Sequence, residues 1–318
     1  MPSPRGSNPR YAWRLLRAGP IALDAGSMFG VVPRAIWGRE VMPDPRHRIE
    51  LAHNCLLLDA PDGGRILVEA GSGGKFPARQ RDIYGLGDRT VLEAVEEIAP
   101  VAEVRHVVVT HLHFDHVGGL TRLCRAGERP HWTDPATAAG IVRTFGDAEV
   151  VVQAREWRDA LANTSVMTRT YLRENLEPLA PRLRLVDSPA PFPAGVVPAR
   201  DARPESALDT RLTEVLPGIH VFLVPGHTWG QQAVLFTDDQ GRTVVFAADV
   251  LPTVHHVGAA ASMAYDVEPY TTMLTKAWLL AEAAARDWLL VLDHEPTTPC
   301  VRVRPDGRGW YALEATRV

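Results

Sequence analysis

The chain has 318 residues, of which 46% are hydrophobic and 23% are charged, as is typical of a globular protein. Its formal net charge of −4 gives no broad electrostatic attraction for nucleic acid or for an anionic membrane surface. The sequence contains no apolar run of about 18 residues and no secretory signal pattern, so we expect neither a membrane-spanning helix nor export.

The three cysteines, Cys55, Cys124 and Cys300, are odd in number and far apart in the sequence. None of them lies beside the candidate metal ligands identified below, so we expect neither a disulfide framework nor a cysteine zinc site. Unpaired thiols fit a reducing compartment, and we therefore expect a cytoplasmic protein.

The length of the chain allows either one large domain or two small ones. The candidate ligands run from residue 111 to residue 294, so any division would cut through the site that they form. We therefore expect a single domain over residues 11–318. Residues 1–10, rich in proline, serine and arginine, are expected to form a disordered tail. The oligomeric state is left open, with a homodimer as one alternative.

The first third of the chain shows mainly the patterns of strands, with one helix. The expected elements are a first strand or two over residues 11–24, a hairpin over 49–59 and 65–70, a glycine-rich loop over 72–87, a helix over 90–98 and a strand over 104–109. The last of these strands leads directly into the most informative motif of the sequence.

That motif, residues 110–119, reads THLHFDHVGG and follows the apolar run VVV. His111 and His113 are two positions apart, so on an extended backbone their side chains point the same way. Asp115 and His116 lie just beyond them and can turn toward a second point, while the two final glycines allow a sharp turn that opens a helix. Imidazole and carboxylate are ligands that suit zinc and its first-row neighbours. The motif therefore predicts a metal site; the alternative is a solvated polar loop rich in histidine.

The remaining two thirds of the chain alternate between strand and helix patterns. The expected elements are a short strand and an alanine-rich helix over residues 132–144, a strand over 149–152, helical pieces over 156–179, irregular proline-rich chain over 178–204, strands over 213–224, 232–237, 243–248 and 288–292, an amphipathic helix over 269–286 and a closing hairpin over 300–312.

Three of these later apolar runs also end at a residue that can bind a metal. LVPGHTWG presents His227 after a Pro-Gly turn, VVFAADV carries Asp249 near its end, and LLVLDHEP ends at Asp293 and His294. A single histidine at the end of a strand is more often structural than functional. Four such strand ends in one chain predict instead that these side chains meet in one site.

The HxHxDH motif, the GHT histidine, the aspartate after an apolar strand and the late histidine together resemble the metallo-β-lactamase superfamily of binuclear metallohydrolases. The resemblance covers most of the chain, from about residue 51 to about residue 305, and its motifs are highly specific. It implies an α+β fold: a four-layer αββα sandwich of two mixed β-sheets flanked by helices, with the metals in a cleft at one edge. The implied ligands are His111, His113 and His227 for one metal, Asp115, His116 and His294 for the second, and Asp249 as a bridge.

Three further segments resemble a subgroup of that superfamily that contains N-acyl-homoserine-lactone lactonases, the enzymes of quorum quenching, and many other hydrolases. They are residues 26–38 (GSMFGVVPRAIWG), 81–85 (RDIYG) and 264–273 (AYDVEPYTTM). The chain departs from the family pattern at Gln231 and Gln232, at Glu295 and at Glu69. The usual residue at position 69 is an aspartate that supports a ligand histidine, so this change bears on metal affinity or ligand orientation.

The implied ligand set predicts a metal-dependent hydrolase. Two divalent ions would share a bridging hydroxide at neutral pH and would polarise a carbonyl or phosphoryl oxygen. Zinc is the favoured metal, with manganese, iron and cobalt as alternatives. Asp115 and Asp249 are the candidate catalytic residues, because either carboxylate could carry a proton to the leaving group.

The expected partner is a small molecule, a lactone or similar ester, with N-acyl homoserine lactone as the specific candidate. The alternatives within the same fold are hydrolysis of a phosphodiester, a thioester, or an organophosphate or arylester. A mononuclear iron dioxygenase is the alternative from a different class of enzyme.

Several other residues are weaker candidates for contact with the substrate, and a structural role competes with each. They are His255 and His256, in a loop expected to overhang the metals, and Phe29, Phe76, Tyr84 and Tyr265, which could line an acyl pocket.

Overall fold

A computed structural model describes residues 9–166, 169–193, 196, 198–199, 202–204 and 207–317. Of the tail expected at residues 1–10, residues 1–8 lie outside this described part. Among the described residues, no helix combines the length and the apolar character needed to cross a lipid bilayer.

The strands of the described chain form two large sheets and one small one. They are β1 (Trp13–Asp24), β2 (Arg48–Asp59), β3 (Arg65–Val68), β4 (Val104–Val108), β5 (Thr121–Leu123), β6 (Trp132–Thr133), β7 (Gly140–Arg143), β8 (Glu149–Gln153), β9 (Leu183–Val186), β10 (Thr213–Leu216), β11 (Ile219–Leu223), β12 (Gln232–Thr237), β13 (Thr243–Phe246), β14 (Leu289–Val291), β15 (Cys300–Pro305) and β16 (Tyr311–Ala315).

Helices connect these strands and cover the sheets. They are α1 (Ala25–Phe29), α2 (Arg34–Trp37), α3 (Ala78–Ile83), α4 (Val91–Glu96), α5 (Phe114–Val117), α6 (Ala154–Leu161), α7 (Arg173–Leu176) and α8 (Pro269–Arg286).

Both large sheets are mixed. The first has the order β1-β2-β3-β4-β8-β9, with antiparallel pairs up to β3 and parallel pairs from β3 to β9. The second has the order β10 to β16 in sequence, and its one parallel pair is β13 with β14. A parallel pair needs a long crossover connection, and the helix α8 lies in the crossover between β13 and β14.

The two large sheets and the helices outside them form four layers, and hydrophobic clusters fill the spaces between these layers. Along β4, Val108 packs into the core between the two sheets, where it shares a cluster with Phe246 of β13. Its neighbour Val107 points to the opposite face and shares a cluster with Val95 of α4, as strand alternation requires. On the outside of the second sheet, Leu280 of α8 belongs to a third cluster. This arrangement confirms the predicted αββα sandwich.

The two best predicted helices carry clear end signals. Thr90 and Glu93 form a reciprocal capping box at the start of α4. The helix α8 begins at Pro269, where the missing N–H group would have no helical partner. It ends at Asp287, whose left-handed backbone (φ 54°) stops the helix.

Several of the secondary-structure predictions were wrong. The segment 178–204, expected to be irregular, contains the strand β9. The alanine-rich segment within residues 132–144 contains no helix, because Asp134 accepts hydrogen bonds from the backbone N–H of Ala136 and the hydroxyl of Thr137 and folds a tight turn. This turn joins β6 to β7 in the small sheet β5-β7-β6. The strand expected over residues 213–224 is a hairpin, because Gly218 takes a positive φ of 70° between β10 and β11.

The two glycines of the central motif follow the short helix α5 directly and open a single 3-10 turn (Gly118–Leu120). The sequence had suggested that they open a helix, and the structure limits this helix to one 3-10 turn. A Cβ atom at Gly118 would lie 2.2 Å from the carbonyl oxygen of Ser72, and one at Gly119 would lie 2.1 Å from that of Ala70. The glycines therefore allow the motif to pack closely against the chain that leaves β3. That chain, expected to be a loop over residues 72–87, also contains the helix α3.

Candidate metal centre

All seven residues predicted as metal ligands come from chain that directly follows a buried strand, and the structure brings them together at one edge of the sandwich. His111 and His113 lie between β4 and α5, Asp115 and His116 on α5, His227 between β11 and β12, Asp249 in a 3-10 turn after β13, and His294 after β14. Their binding of metal stays a prediction, and their geometry is described below.

The first group is a set of three buried imidazoles, those of His111, His113 and His227, each of which offers a nitrogen within 4.8 Å of the others. Nε2 of His227 lies 2.9 Å from Nδ1 of His113. Nε2 of His111 has no hydrogen-bond partner among the described residues. Three nitrogen lone pairs converging on one buried point are the donor set of a tetrahedral zinc-type site.

The second group contains His116, His294 and Asp249, together with Asp293. The Nε2 atoms of the two histidines are 3.3 Å apart. Each of them also faces Asp249, whose Oδ2 lies 3.5 Å from His116 and whose Oδ1 lies 3.3 Å from His294. This second group is mixed imidazole and carboxylate, which suits a divalent cation of the same kind.

Asp249 lies between the two groups. Its Oδ2 atom is 3.0 Å from Nε2 of His227 and 3.8 Å from Nε2 of His111, while its Oδ1 atom faces the second group. The preceding residue, Ala248, has a positive φ of 59°, a strained conformation for a residue with a Cβ atom. Such strain concentrates at functional sites, and here it aims one carboxylate at both groups.

Asp115 and Asp293 approach the second group from different sides. Asp115 lines the open cleft, with one oxygen 3.8 Å from Nε2 of His116 and the other 3.8 Å from Nε2 of His294. Asp293 is 2% exposed, and its Oδ1 accepts the backbone N–H of His294 while its Oδ2 has no partner among the described residues. The sequence singled out Asp115 as the ligand, whereas the tight geometric group contains Asp293.

The far nitrogen of each of four histidines has its own partner. Nδ1 of His111 lies 3.0 Å from the Thr110 hydroxyl, Nδ1 of His227 lies 2.8 Å from Asp266, Nδ1 of His116 lies 2.7 Å from Glu69, and Nδ1 of His294 lies 2.9 Å from the carbonyl oxygen of Ala52. The carboxylates and the carbonyl can only accept, so in those pairs the histidine donates from Nδ1 and keeps its Nε2 lone pair for the centre. Partners of this kind fix the tautomer and the orientation of metal-binding histidines.

The electrostatics around Asp249 favour positive charge beside this carboxylate. Burial disfavours the charged form of Asp249, but His227, His294 and His116 outweigh burial and hold the pKa of this carboxyl well below its usual range. Burial also disfavours the imidazolium of His227, but Asp249 and Asp266 outweigh it and raise the pKa of this histidine to about 10. Divalent cations would supply the same compensation without the protons, so the residues present fit a centre of two such ions.

A carboxylate that the sequence analysis missed ties the first group together. Glu156, on α6, is fully buried and accepts hydrogen bonds from the backbone N–H of Leu112 at 3.0 Å, the hydroxyl of Thr228 at 2.6 Å and the hydroxyl of Tyr171 at 3.0 Å. Leu112 lies between His111 and His113, and Thr228 follows His227. Glu156 therefore links the two loops that carry the three imidazoles. Its only sequence signal was a carboxylate three positions after the end of the apolar strand β8.

An apolar cleft opens onto the centre. The residues that line it are Leu23, Met28, Tyr84, Phe114, Ser165, Thr170, Met263 and Tyr265, together with His113, Asp115, His227, Asp249 and His294. Of the candidate pocket residues, Tyr84 and Tyr265 thus line the cleft. Phe76 packs behind it against Phe114, with ring centroids 5.2 Å apart.

The two histidines expected to overhang the metals are not cleft residues. His256 is buried, with Nδ1 at 2.8 Å from the Thr253 hydroxyl and Nε2 at 2.8 Å from the carbonyl oxygen of Met28. It stacks on Phe29, with ring centroids 5.1 Å apart. His255 does not line the cleft either. The role of His256 is therefore to join the chain after β13 to the helix α1.

Comparison with known proteins gives one match to a family and many to solved structures. A family model described as the metallo-beta-lactamase superfamily matches residues 48–294. No curated protein matches the chain in sequence.

The similar solved structures include three that cover nearly the whole chain. A probable metal-dependent hydrolase from Staphylococcus aureus has 23% identity and a TM-score of 0.74, with 98% of this chain and 100% of that chain covered. The hydrolase AbOPH of the beta-lactamase superfamily has 17% identity and a TM-score of 0.69, with 99% of each chain covered. AidC, a dizinc quorum-quenching lactonase in complex with a product, has 14% identity and a TM-score of 0.70, with 98% and 96% covered. At these identities the likeness shows a shared fold.

Proposed function

Because the chain belongs to the metallo-β-lactamase superfamily, we propose that it is a binuclear metal-dependent hydrolase that opens the ring of a lactone, with an N-acyl homoserine lactone as the favoured substrate. The observation that carries this proposal is the position of Asp249 between two convergent groups of ligands, at the base of an apolar cleft. When bound, two divalent cations would polarise a carbonyl oxygen and lower the pKa of water to roughly 7.

The cleft favours a neutral substrate with an apolar acyl group. Leu23, Met28, Phe114 and Met263 supply apolar surface beside the carboxylate Asp115. Among the described residues, no lysine or arginine lines the cleft, so a polyanionic substrate such as nucleic acid would find no cation there besides the metals. The cleft encloses about 50 Å³, so a long acyl chain must extend outward from the centre.

Three residues of the chain have further roles in the proposed reaction. Asp115, at the open side, takes a proton from the attacking water and delivers it to the ring oxygen as the carbon–oxygen bond breaks. Asp249 holds the two groups of imidazoles in a fixed relation. Burial raises the pKa of the Tyr265 hydroxyl to about 12, so this group keeps its proton at neutral pH and can donate a hydrogen bond to a substrate carbonyl.

The descriptions of some similar structures support this choice of substrate. AidC is described as a dizinc quorum-quenching lactonase, and other similar structures are described as N-acyl homoserine lactone lactonases or hydrolases. We extend this activity to the present chain as a proposal, with zinc as the proposed metal.

A substrate panel tests the proposal. Zinc-loaded protein is given N-hexanoyl-L-homoserine lactone, the methyl ester of N-hexanoyl-L-homoserine, a nitrophenyl ester and a nitrophenyl phosphodiester at equal concentrations, and product is measured by chromatography. We expect the lactone to be turned over fastest and the phosphodiester slowest. Faster turnover of the phosphodiester or of the aryl ester would contradict the proposal and would identify that compound's class as the substrate class instead.

A further inference from the structure

A second cavity lies next to the metal cleft and shares one wall with it. This cavity, which we call the Lys75 cavity, encloses about 320 Å³ and is lined by Ser72, Lys75, Gln80, Tyr84, Arg169 and Asn175 among others. Tyr84 also lines the metal cleft, where its ring packs against Phe114 with centroids 5.1 Å apart. A molecule that leaves the metal centre would therefore find the Lys75 cavity on the far side of this tyrosine.

The cavity contains a buried polar side chain that lacks partners. Asn175, on α7, is 1% exposed, and neither its amide nitrogen nor its amide oxygen has a hydrogen-bond partner among the described residues. Buried amides are almost always hydrogen-bonded in folded proteins. The Asn175 amide offers both donors and an acceptor to a molecule in the cavity.

The ammonium group of Lys75 also has an unused donor. It donates hydrogen bonds to the carbonyl oxygens of Gly118 at 2.5 Å and Thr121 at 2.7 Å, and an ammonium group has three N–H donors. Burial lowers the pKa of Lys75 to about 7, and the nearby Glu174 carboxylate offsets only part of that effect. In the part of the chain that the structure describes, no carboxylate forms an ion pair with this lysine.

The charge of the cavity is positive when Lys75 is protonated. Arg169 is exposed at the cavity and, among the described residues, it has no ion-pair partner. Glu174 is the one acidic side chain in the described lining, whereas Lys75 and Arg169 provide two basic side chains. Ser72 adds a hydroxyl whose oxygen lies 2.9 Å from Nε2 of His53.

We propose that the Lys75 cavity binds a small carboxylate that also carries an amide or hydroxyl group, with Lys75 and Arg169 facing the carboxylate and Asn175 facing the neutral polar group. The identity of the ligand rests on the proposed function: opening a homoserine lactone converts a neutral ring into a carboxylate with a hydroxyl and an amide nearby. The ring-opened product is therefore the ligand that the adjacent cleft supplies. The cavity holds this product away from the metals and leaves the cleft free for the next substrate.

Calorimetric titration of the zinc-loaded full-length protein with N-hexanoyl-L-homoserine tests this site. Two variants address it: Asn175→Leu, which keeps the branched shape of the side chain and removes its hydrogen-bonding groups, and Arg169→Ala at the exposed edge. The matched control is Arg79→Ala, because Arg79 is an exposed arginine on α3 that does not line the cavity. A second set of titrations after chelation of the metal, with folding checked by circular dichroism, removes any binding of the product to the metals.

We expect saturable binding that persists after chelation, is weakened about tenfold or more in Asn175→Leu and in Arg169→Ala, and is unchanged in Arg79→Ala. Absence of binding after chelation from protein that is still folded, or equal affinity in all the variants, would overturn the proposal. Lactone turnover by the same zinc-loaded protein is measured separately. One further outcome is that the protein fails to turn over the lactone and still binds the carboxylate with an affinity that Asn175→Leu and Arg169→Ala weaken. That result would support the carboxylate site and contradict its assignment to the product of a lactonase.

Discussion

Oε2 of Glu69 lies 2.7 Å from Nδ1 of His116, and both side chains are buried. Family resemblance had marked Glu69 as a departure, because an aspartate is usual at this position. The longer carboxylate nevertheless reaches the histidine directly, and its other oxygen accepts the backbone N–H of Thr110. The backbone of Glu69 has a positive φ of 67°.

The substitution Glu69→Gln is expected to weaken zinc binding by about 10- to 100-fold, because the amide no longer provides a charged acceptor for His116. Competition with a zinc-sensitive chelator measures the affinity. The exposed Glu50 on β2 provides the control substitution Glu50→Gln, which should leave zinc affinity unchanged. An unaltered affinity in Glu69→Gln would show that the pair is dispensable for the metal centre.

The buried carboxylate Glu156 should be needed for both stability and metal binding. Glu156→Gln replaces an acceptor of three hydrogen bonds by a group whose nitrogen cannot accept, and we expect a loss of about 2 kcal/mol in the free energy of unfolding and weaker zinc binding. Tyr171→Phe removes only one of the three donors and should lower the stability by about 1 kcal/mol. Denaturant unfolding of both variants measures these values. Equal stability of Glu156→Gln and the unmodified protein would contradict the role of Glu156 in joining the two loops.

Zinc content distinguishes the two aspartates beside the second group. Asp115 faces His116 and His294 from the cleft, so Asp115→Asn should lower the zinc content from about two ions per chain toward one. Burial and the nearby Asp249 raise the pKa of Asp293 well above its usual range, so an asparagine is a close replacement for its neutral form. Asp293→Asn should therefore keep both ions. Mass spectrometry measures the zinc content of both variants. Loss of one ion in Asp293→Asn but not in Asp115→Asn would identify Asp293 as the ligand.

Lys276 should hold the wall of the cleft in place. Its ammonium group donates hydrogen bonds to the carbonyl oxygens of His256, Gly258 and Ala261, shortly before Met263 enters the cleft. Lys276→Met leaves these carbonyls without their donor, so we expect a loss of several kcal/mol in stability and a KM for the lactone that rises more than kcat falls. Thermal unfolding and steady-state kinetics measure these effects. A KM equal to that of the unmodified protein would show that this segment does not shape the cleft.

The sequence was most informative where a single strand or a short motif decides the structure. The HxHxDH spacing, the strand ends at His227, Asp249 and His294, and the helix from Pro269 to Arg286 needed only local patterns. Residues that act across large sequence separations were harder to predict. Glu156 reaches Thr228, 72 positions away, and His227 meets Asp266, 39 positions away. No local pattern marks such pairs, because the tertiary fold alone brings them together.

The most direct test of the whole account is a pH-stat measurement of proton release with N-hexanoyl-L-homoserine lactone, since ring opening produces an acid. Zinc-loaded protein should release about one proton for each lactone molecule consumed. Chelation should abolish the release, added zinc should restore it, and Asp249→Asn should remain inactive even with zinc. Proton release that survives complete removal of metal, or full activity of Asp249→Asn, would contradict a metal-dependent lactonase centred on Asp249.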